Sequence, residues 1–397
     1  MSYEFAGRMD GIKPSAIREI LKFSAFPGII PFAAGNPAPD AFPVEEVEAI
    51  SSQLLKENPI LALQYSVTEG YTPLRDALKK RMETQGCFNP DADELIVTAG
   101  AQQANELACK ILCNEGDTLI CEAPTFIGSL NAFKSYKTHL VGIELENDGM
   151  NIEKLEEALQ NNKNTKLMYI IPNFQNPTGF TTSLEKRKAI YELACKYDII
   201  ILEDNPSGDL RYEGEDIPSI KSLDTENRVI YSGSFSKILA PGLRVGYASA
   251  PKELIQKMII CKQVADVHTN IWAQAICERF LAVTDMNAHF ERLRSIYRKK
   301  CNLMFEGIEK HFSKKISVQK PQGGLFTWAT LPDGCDMNAF CTRAVKEFKV
   351  AVVPGNAFTI NDTDKTTSFR MNFSTPTDEQ LIKGCELLGK LSKEMFD

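Results

Sequence analysis

Two periods of apolar residue run along this chain. From about residue 94, short apolar runs of strand length recur: Leu95-Ile96-Val97-Thr98, Thr118-Leu119-Ile120-Cys121, KLMYII at 166–171, DIIILE at 198–203, RVIYSG at 228–233 and VGYASA at 245–250. Between several of them lie amphipathic stretches such as Ser183 to Tyr197, where Leu184, Ile190, Leu193 and Ala194 recur at helical spacing. Strands alternating with helices predict an α/β fold with a mostly parallel sheet covered on both faces. Past about residue 285 the pattern changes. A long helix is expected over Asp285 to His311, then GGLFTWATL, a helix near 336–348, AVVPG, SFRMNFS and a last helix from Thr377. That mixture predicts a smaller α+β domain. The loop PFAAGNPAPDAFP at 31–43 is rich in Pro, Ala and Gly and is expected to cross between the two. The expected division is a large domain over 45–285 and a small one built from 1–44 with 286–397.

Composition narrows the class without naming a function. Hydrophobic residues make up 43% of the 397 and charged residues 24%, as in an ordinary globular protein. A net charge of −7 argues against a nucleic-acid partner. None of the eleven cysteines falls in C-x-x-C or other metal-ligand spacing, so reduced thiols, no metal site and a cytoplasmic setting are expected. No apolar run approaches the ~20 residues of a membrane span, and MSYEFAGRMDGIKPS lacks the apolar core of a signal peptide.

The polar outliers sit at strand ends. KLMYII runs into Pro172 and the turn Asn176-Pro177-Thr178-Gly179; DIIILE ends at Asp204; RVIYSG ends at Ser234-Phe235-Ser236-Lys237; LIVTAG ends at Gly100-Ala101-Gln102, just before a helix. In a parallel α/β sheet the carboxyl ends of the strands form the ligand crevice. An amide, a carboxylate, a lysine, hydroxyls and a helix N-terminus thus converge on one edge. Each alone reads as ordinary structure: a solvated lysine, a helix-capping aspartate, a plain turn. It is their joint placement that points to a site.

This constellation resembles the fold-type-I pyridoxal-phosphate enzymes, specifically the class I/II aminotransferases, over nearly the whole chain from SAIREILKF to FRMNFS. The most specific stretch is SGSFSKILAPGLRVGY, with an arginine seven residues after the lysine. Within the family it looks most similar to the 2-aminoadipate, kynurenine and aromatic aminotransferases. The resemblance implies a seven-stranded-type sheet in the large domain and pyridoxal 5'-phosphate as cofactor. It implies that Lys237 carries the cofactor as a Schiff base, that Asp204 pairs with the pyridine nitrogen, and that Asn176 bonds the ring's phenolic oxygen. Ala101, Gln102, Ser234, Ser236 and Arg244 would hold the phosphate, with Tyr65 reaching it from a second subunit of a homodimer. Arg370 would clamp the substrate carboxylate, Gly35 would lie in the loop closing over it, and Arg18 would meet the distal carboxylate of an acidic substrate. The expected partners are an L-amino acid and a 2-oxo acid, 2-oxoglutarate among them.

Two positions depart from the family pattern. The stretch Pro124-Thr125-Phe126 places phenylalanine where tyrosine usually stacks on the cofactor, which costs only a hydroxyl. In EDNPSGDLRY, Ser207 stands where a tyrosine usually donates to the phenolic oxygen and is too short to take its place. Two rivals share parts of the pattern: a carbon–sulfur β-lyase or decarboxylase on the same machinery, and an aminotransferase-like regulator, which would need a DNA-binding segment before the Arg18 helix. Replacing the usual tyrosine predicts an altered imine pKa, or a water in the gap. Ser207→Tyr is therefore expected to move the pH titration of the bound cofactor, read from its absorbance; an unchanged titration would refute this.

Overall fold

A computed structural model describes residues 3–9, 28–361 and 363–397. Arg18 lies outside the described residues. The strands are β1 (Asp93–Thr98), β2 (Thr118–Ala123), β3 (His139–Glu146), β4 (Gly149–Met150), β5 (Thr165–Ile170), β6 (Ile200–Asp204), β7 (Val229–Ser234) and β8 (Gly246–Pro251). They form one sheet in the order β1-β8-β7-β6-β5-β2-β3-β4. The seven expected strands are extended by β4, a two-residue hairpin partner of β3. Strand β8 runs antiparallel to both its neighbours, while β7, β6, β5, β2 and β3 are mutually parallel. Two antiparallel steps bring β1 back into the common direction. The carboxyl ends of β1, β2, β5, β6 and β7 therefore share one edge.

The pleat explains why these strands read as nearly continuous apolar runs. In β5, Leu167 and Tyr169 enter one core cluster while Met168 and Ile170 enter another on the opposite face. Leu202 and Ile201 of β6 divide the same way. Both faces are covered, so both sets must be apolar. The helices begin where polar side chains can replace the missing intrahelical bonds. Ser183 accepts from Lys186 N before Leu184–Tyr197, Asp285 from Asn287 N and Ala288 N before Met286–His311, and Asp336 from Ala339 N before Met337–Lys346. Thr377 and Gln380 make a reciprocal capping box ahead of Asp378–Phe396.

A second sheet is antiparallel throughout, with β9 (Ser317–Val318), β10 (Phe326–Thr330), β11 (Val353–Pro354) and β12 (Ser368–Asn372) in the order β11-β12-β10-β9. Its register places Arg370 opposite Trp328 on one side and Val353 on the other. The 28–43 stretch is stitched to this sheet by Ile30 N to Lys349 O (2.8 Å) and Asn372 N to Phe32 O (2.8 Å). One core cluster runs unbroken from Leu95, Val97 and Tyr247 on the large sheet through Phe280 and Tyr297 to Phe369, Phe373 and Leu381.

Under the carboxyl edge lies a buried cation with no carboxylate in hydrogen-bond contact among the described residues. The Arg187 guanidinium donates to the carbonyls of Thr182 (2.9 Å), Ile217 (3.1 Å), Pro218 (2.9 Å) and Pro172 (2.9 Å), and to Asn173 Oδ1 (2.6 Å). It ties the end of β5 to two loops that no strand pairing joins. Burial lowers its pKa to about 10. Arg187→Met would leave four of these acceptors without their donor, Pro172 O keeping Thr182 N, at about 1–3 kcal/mol for each one that water cannot reach. We expect a loss of ~3 kcal/mol or more in urea unfolding; a loss below 1 kcal/mol would refute the clamp.

Candidate active site

The helix Ala101–Leu112 starts straight after β1 with Gly100 as its N-cap (φ +80°), and no side chain caps it. Its first N–H groups, at Ala101 and Gln102, therefore have no intrahelical acceptor. Arg244 comes alongside, itself held in the left-handed region (φ +53°), and donates from Nη2 to Ala99 O at 3.1 Å. The approach is close enough to require glycine. A Cβ on Gly100 would lie 2.5 Å from Arg244 Nη2, and one on Gly246 would lie 2.5 Å from the Gly100 carbonyl carbon. At the end of β7, the Ser234 hydroxyl donates to Ser236 Oγ (2.9 Å) and accepts from Ser236 N (3.1 Å). Free helix N–H groups, hydroxyls and a guanidinium are the donor set that suits a phosphate.

Asp204 ends β6 with its side chain withdrawn from water. Its Oδ2 accepts from Asn105 Nδ2 and from the Tyr169 hydroxyl, both at 2.7 Å, while Oδ1 has no partner among the described residues. Burial raises its pKa to about 6, against the pull of those two donors. Lys237 Nζ donates to Gly35 O at 2.8 Å. Burial first, then the positive charges of Arg370 and Arg244, lower its pKa to about 8. The amine is thus within reach of its neutral form near neutral pH, as a nucleophile or a proton acceptor requires.

Arg370 projects from β12 into the same space. It donates to Asn176 Oδ1 (2.8 Å) and Ala33 O (3.1 Å), leaving Nε buried and unpartnered. Its guanidinium lies over the rings of Phe326 (4.2 Å to the centroid) and Phe358 (4.9 Å), and burial lowers its pKa to about 9. Among the described residues no carboxylate pairs with it, so its charge is left without a counter-charge in the pocket. The turn bearing Asn176 is held by Gln175. Its amide nitrogen donates to Glu122 Oε2 (3.1 Å) and Pro124 O (2.8 Å), and its oxygen accepts from Thr178 N (2.9 Å) and Oγ1 (2.8 Å). Beside it, burial pushes the Glu122 carboxyl up to about 8. Phe126 caps the helix Ile127–Ser135, and a Cβ on Gly128 would strike both its ring and Gln102 Oε1.

The fold therefore brings Gly35, Ala101, Gln102, Asn176, Asp204, Ser234, Ser236, Lys237, Arg244 and Arg370 to one edge. Tyr65 stands apart, 82% exposed and edge-on to His268 at 5.9 Å. Ser207 is buried before the short turn Gly208–Leu210, where its hydroxyl caps nothing. Sequence reasoning passed over Asn105, Tyr169, Gln175 and Glu122. Only Glu122 carried a signal, as a charge at the end of an apolar strand.

Residues 27–388 match the family described as aminotransferase class I and II. The chain is 40% identical over 400 residues to the aromatic-amino-acid aminotransferase 1 of Thermococcus litoralis, covering 99% of this chain and 95% of that one. It is 36% identical to the 2-aminoadipate transaminase of Thermus thermophilus, covering 98% and 96%. The crystal structure of Pyrococcus horikoshii kynurenine aminotransferase superposes with a TM-score of 0.95 at 37% identity, covering 99% and 98%.

The chain belongs to the class I and II aminotransferases. Its cofactor is pyridoxal 5'-phosphate, and the residues present fit that group: a phosphate cup walled by Gly100 and Gly246, and a buried carboxylate with one oxygen unspent. That carboxylate has a measurable cost. An ordinary Asp pKa of 3.8 raised to about 6 in the fold means that the native state prefers the protonated form. The stability Asp204 contributes is then full below pH ~4 and lost as pH rises to ~6. About two pKa units correspond to ~3 kcal/mol. Cofactor-free Asp204→Asn should accordingly gain ~3 kcal/mol on the parent protein between pH 4 and pH 7 in urea unfolding. A pH-independent gap would contradict it.

Proposed function

We propose that this aminotransferase exchanges an amino group between an L-amino acid, aromatic, aminoadipate-like or of broad range, and 2-oxoglutarate. The observation that carries the reading is Arg370: a buried guanidinium without a counter-carboxylate among the described residues, in the same pocket as an amine lowered to about 8. When bound, the cofactor supplies an aldehyde for the amino group and a ring that spreads the charge left at Cα. The chain's residues do the rest. Ala101, Gln102, Ser234, Ser236 and Arg244 bind the phosphate. Asp204 Oδ1 would accept from the ring nitrogen and keep it protonated. Asn176, whose Oδ1 is engaged by Arg370, has its Nδ2 left to donate to the phenolic oxygen. Phe126 stacks on the ring. Arg370 fixes the substrate carboxylate, which orients the Cα–H bond. Lys237 would hold the cofactor through its aldehyde and, as a free amine, would take the proton from Cα.

The working form in this reading is a cytoplasmic homodimer. Ile60, Leu63, Tyr65 and Val67 are exposed, as are Val264 and Val267, and Ser66 N to His268 Nε2 (3.2 Å) joins the two stretches. A second copy covering this apolar surface would bring Tyr65 to its neighbour's phosphate cup. Residues 45–285 form the cofactor-binding domain. Residues 1–44 with 286–397 form the part that closes over it, with Gly35 at the rim. Arg18 meets the distal carboxylate of acidic substrates. Eleven free cysteines, seven of them buried, suit a reducing compartment.

The test is a panel of L-amino acids with 2-oxoglutarate, measuring glutamate while following the cofactor spectrum. Glutamate should form with aromatic or aminoadipate-like donors, and Lys237→Ala should lose the imine band. Ammonia or carbon dioxide without glutamate would favour a β-lyase or decarboxylase instead.

A further inference from the structure

Asp204 is fed by a closed ring of hydrogen bonds drawn from four separate elements. Asn105, in the helix after β1, donates from Nδ2 to Asp204 Oδ2 (2.7 Å) and to Ser129 Oγ (3.1 Å). Ser129, in the helix Ile127–Ser135, donates to the Tyr169 hydroxyl (3.0 Å), and Tyr169, in β5, donates to Asp204 Oδ2 (2.7 Å). Asn105, Ser129 and Tyr169 are all 0% exposed, and Asp204 is 3% exposed. The Tyr169 ring is further fixed edge-on against Phe133, 5.2 Å between centroids.

Every proton in this ring has one direction available. An ionised carboxylate only accepts, so the Tyr169 hydroxyl must donate to Asp204. Its oxygen then receives the Ser129 proton, and Ser129 Oγ in turn receives an Asn105 N–H. Turning the Asn105 amide over would set its carbonyl oxygen against the carboxylate. The amide is locked even though its own Oδ1 is left without a partner. A polar cluster kept only for packing would be expected to satisfy its members, because an unmet buried acceptor is costly. Here the two unmet acceptors are Asn105 Oδ1 and Asp204 Oδ1.

We infer that Asn105, Ser129 and Tyr169 are positioning residues for the transamination, a one-way hydrogen-bond circuit that occupies Asp204 Oδ2 and reserves Oδ1 for the cofactor's ring nitrogen. This rests on the reading that Asp204 meets that nitrogen. The two donors to Oδ2 also work against burial to keep the carboxylate ionised, which an acceptor for a protonated ring nitrogen must be. Without the Tyr169 hydroxyl, Asp204 shifts toward its protonated form, accepts less strongly from the ring N–H and distinguishes it less sharply from C–H at that ring position.

Binding to the cofactor-free protein tests this without any turnover. The probes are pyridoxal 5'-phosphate and its analogue with carbon in place of the ring nitrogen, titrated at several pH values. The unaltered protein should prefer the cofactor over the analogue. In Tyr169→Phe and Asn105→Ala that preference should fall about tenfold at pH 7 and recover in Tyr169→Phe as pH rises. Ser129→Ala, which keeps both donors to Oδ2 but removes the donor that polarises the Tyr169 hydroxyl, should lose part of it and serves if the larger changes prevent folding. Equal weakening toward both compounds, with the preference intact, would assign the three residues a merely structural role and overturn the circuit while the reading of Asp204 stands. No preference in the unaltered protein would overturn that reading, and the circuit's purpose with it.

Discussion

Charge withdrawn from water is the constraint that organises this molecule. Asp204, Lys237 and Arg370 are each shifted toward neutrality, to about 6, about 8 and about 9, and burial is the first cause every time. None of the three is paired with another. A fold that brings an unpaired carboxylate, amine and guanidinium to one edge must draw its stability from elsewhere. The large sheet, apolar on both faces, and the core cluster shared with the second sheet are where it does so.

The same constraint explains the supporting shell. Gln175 makes four side-chain hydrogen bonds and Arg187 five. They join loops that strand pairing leaves independent. Asn176 can meet Arg370 across the gap between the two sheets because the turn beneath it is fixed from the β2 side and from the β5 side.

Much of this was legible in the residues. The short apolar runs located β1, β2, β5, β6, β7 and β8 within a residue or two, and the helices expected from Ser183, from Asp285, near 336 and from Thr377 begin there. The groups of the proposed cup, with Asp204 and Lys237, were visible as polar groups at strand ends. What was not legible depended on three-dimensional closure. Tyr169 reads as one more large residue in KLMYII, and nothing local distinguishes a core tyrosine from one aimed at Asp204. Asn105 lies mid-helix, Gln175 lies in a turn, and their partners are 99 and 53 residues away. The antiparallel sense of β8 was equally hidden, since an apolar run does not record its direction.

The Arg187 clamp has one consequence for how the protein responds to its solvent. A guanidinium satisfied by carbonyl dipoles has no counter-ion for dissolved salt to displace, and it lies too deep for screening to matter. The scaffold under the Asn176 turn should be indifferent to ionic strength. The mouth above it is the opposite: there the Arg244 guanidinium is exposed and within reach of any small anion. Sulfate or chloride would therefore act on the pocket and leave its foundation untouched, which makes salt a probe of one layer of the structure at a time.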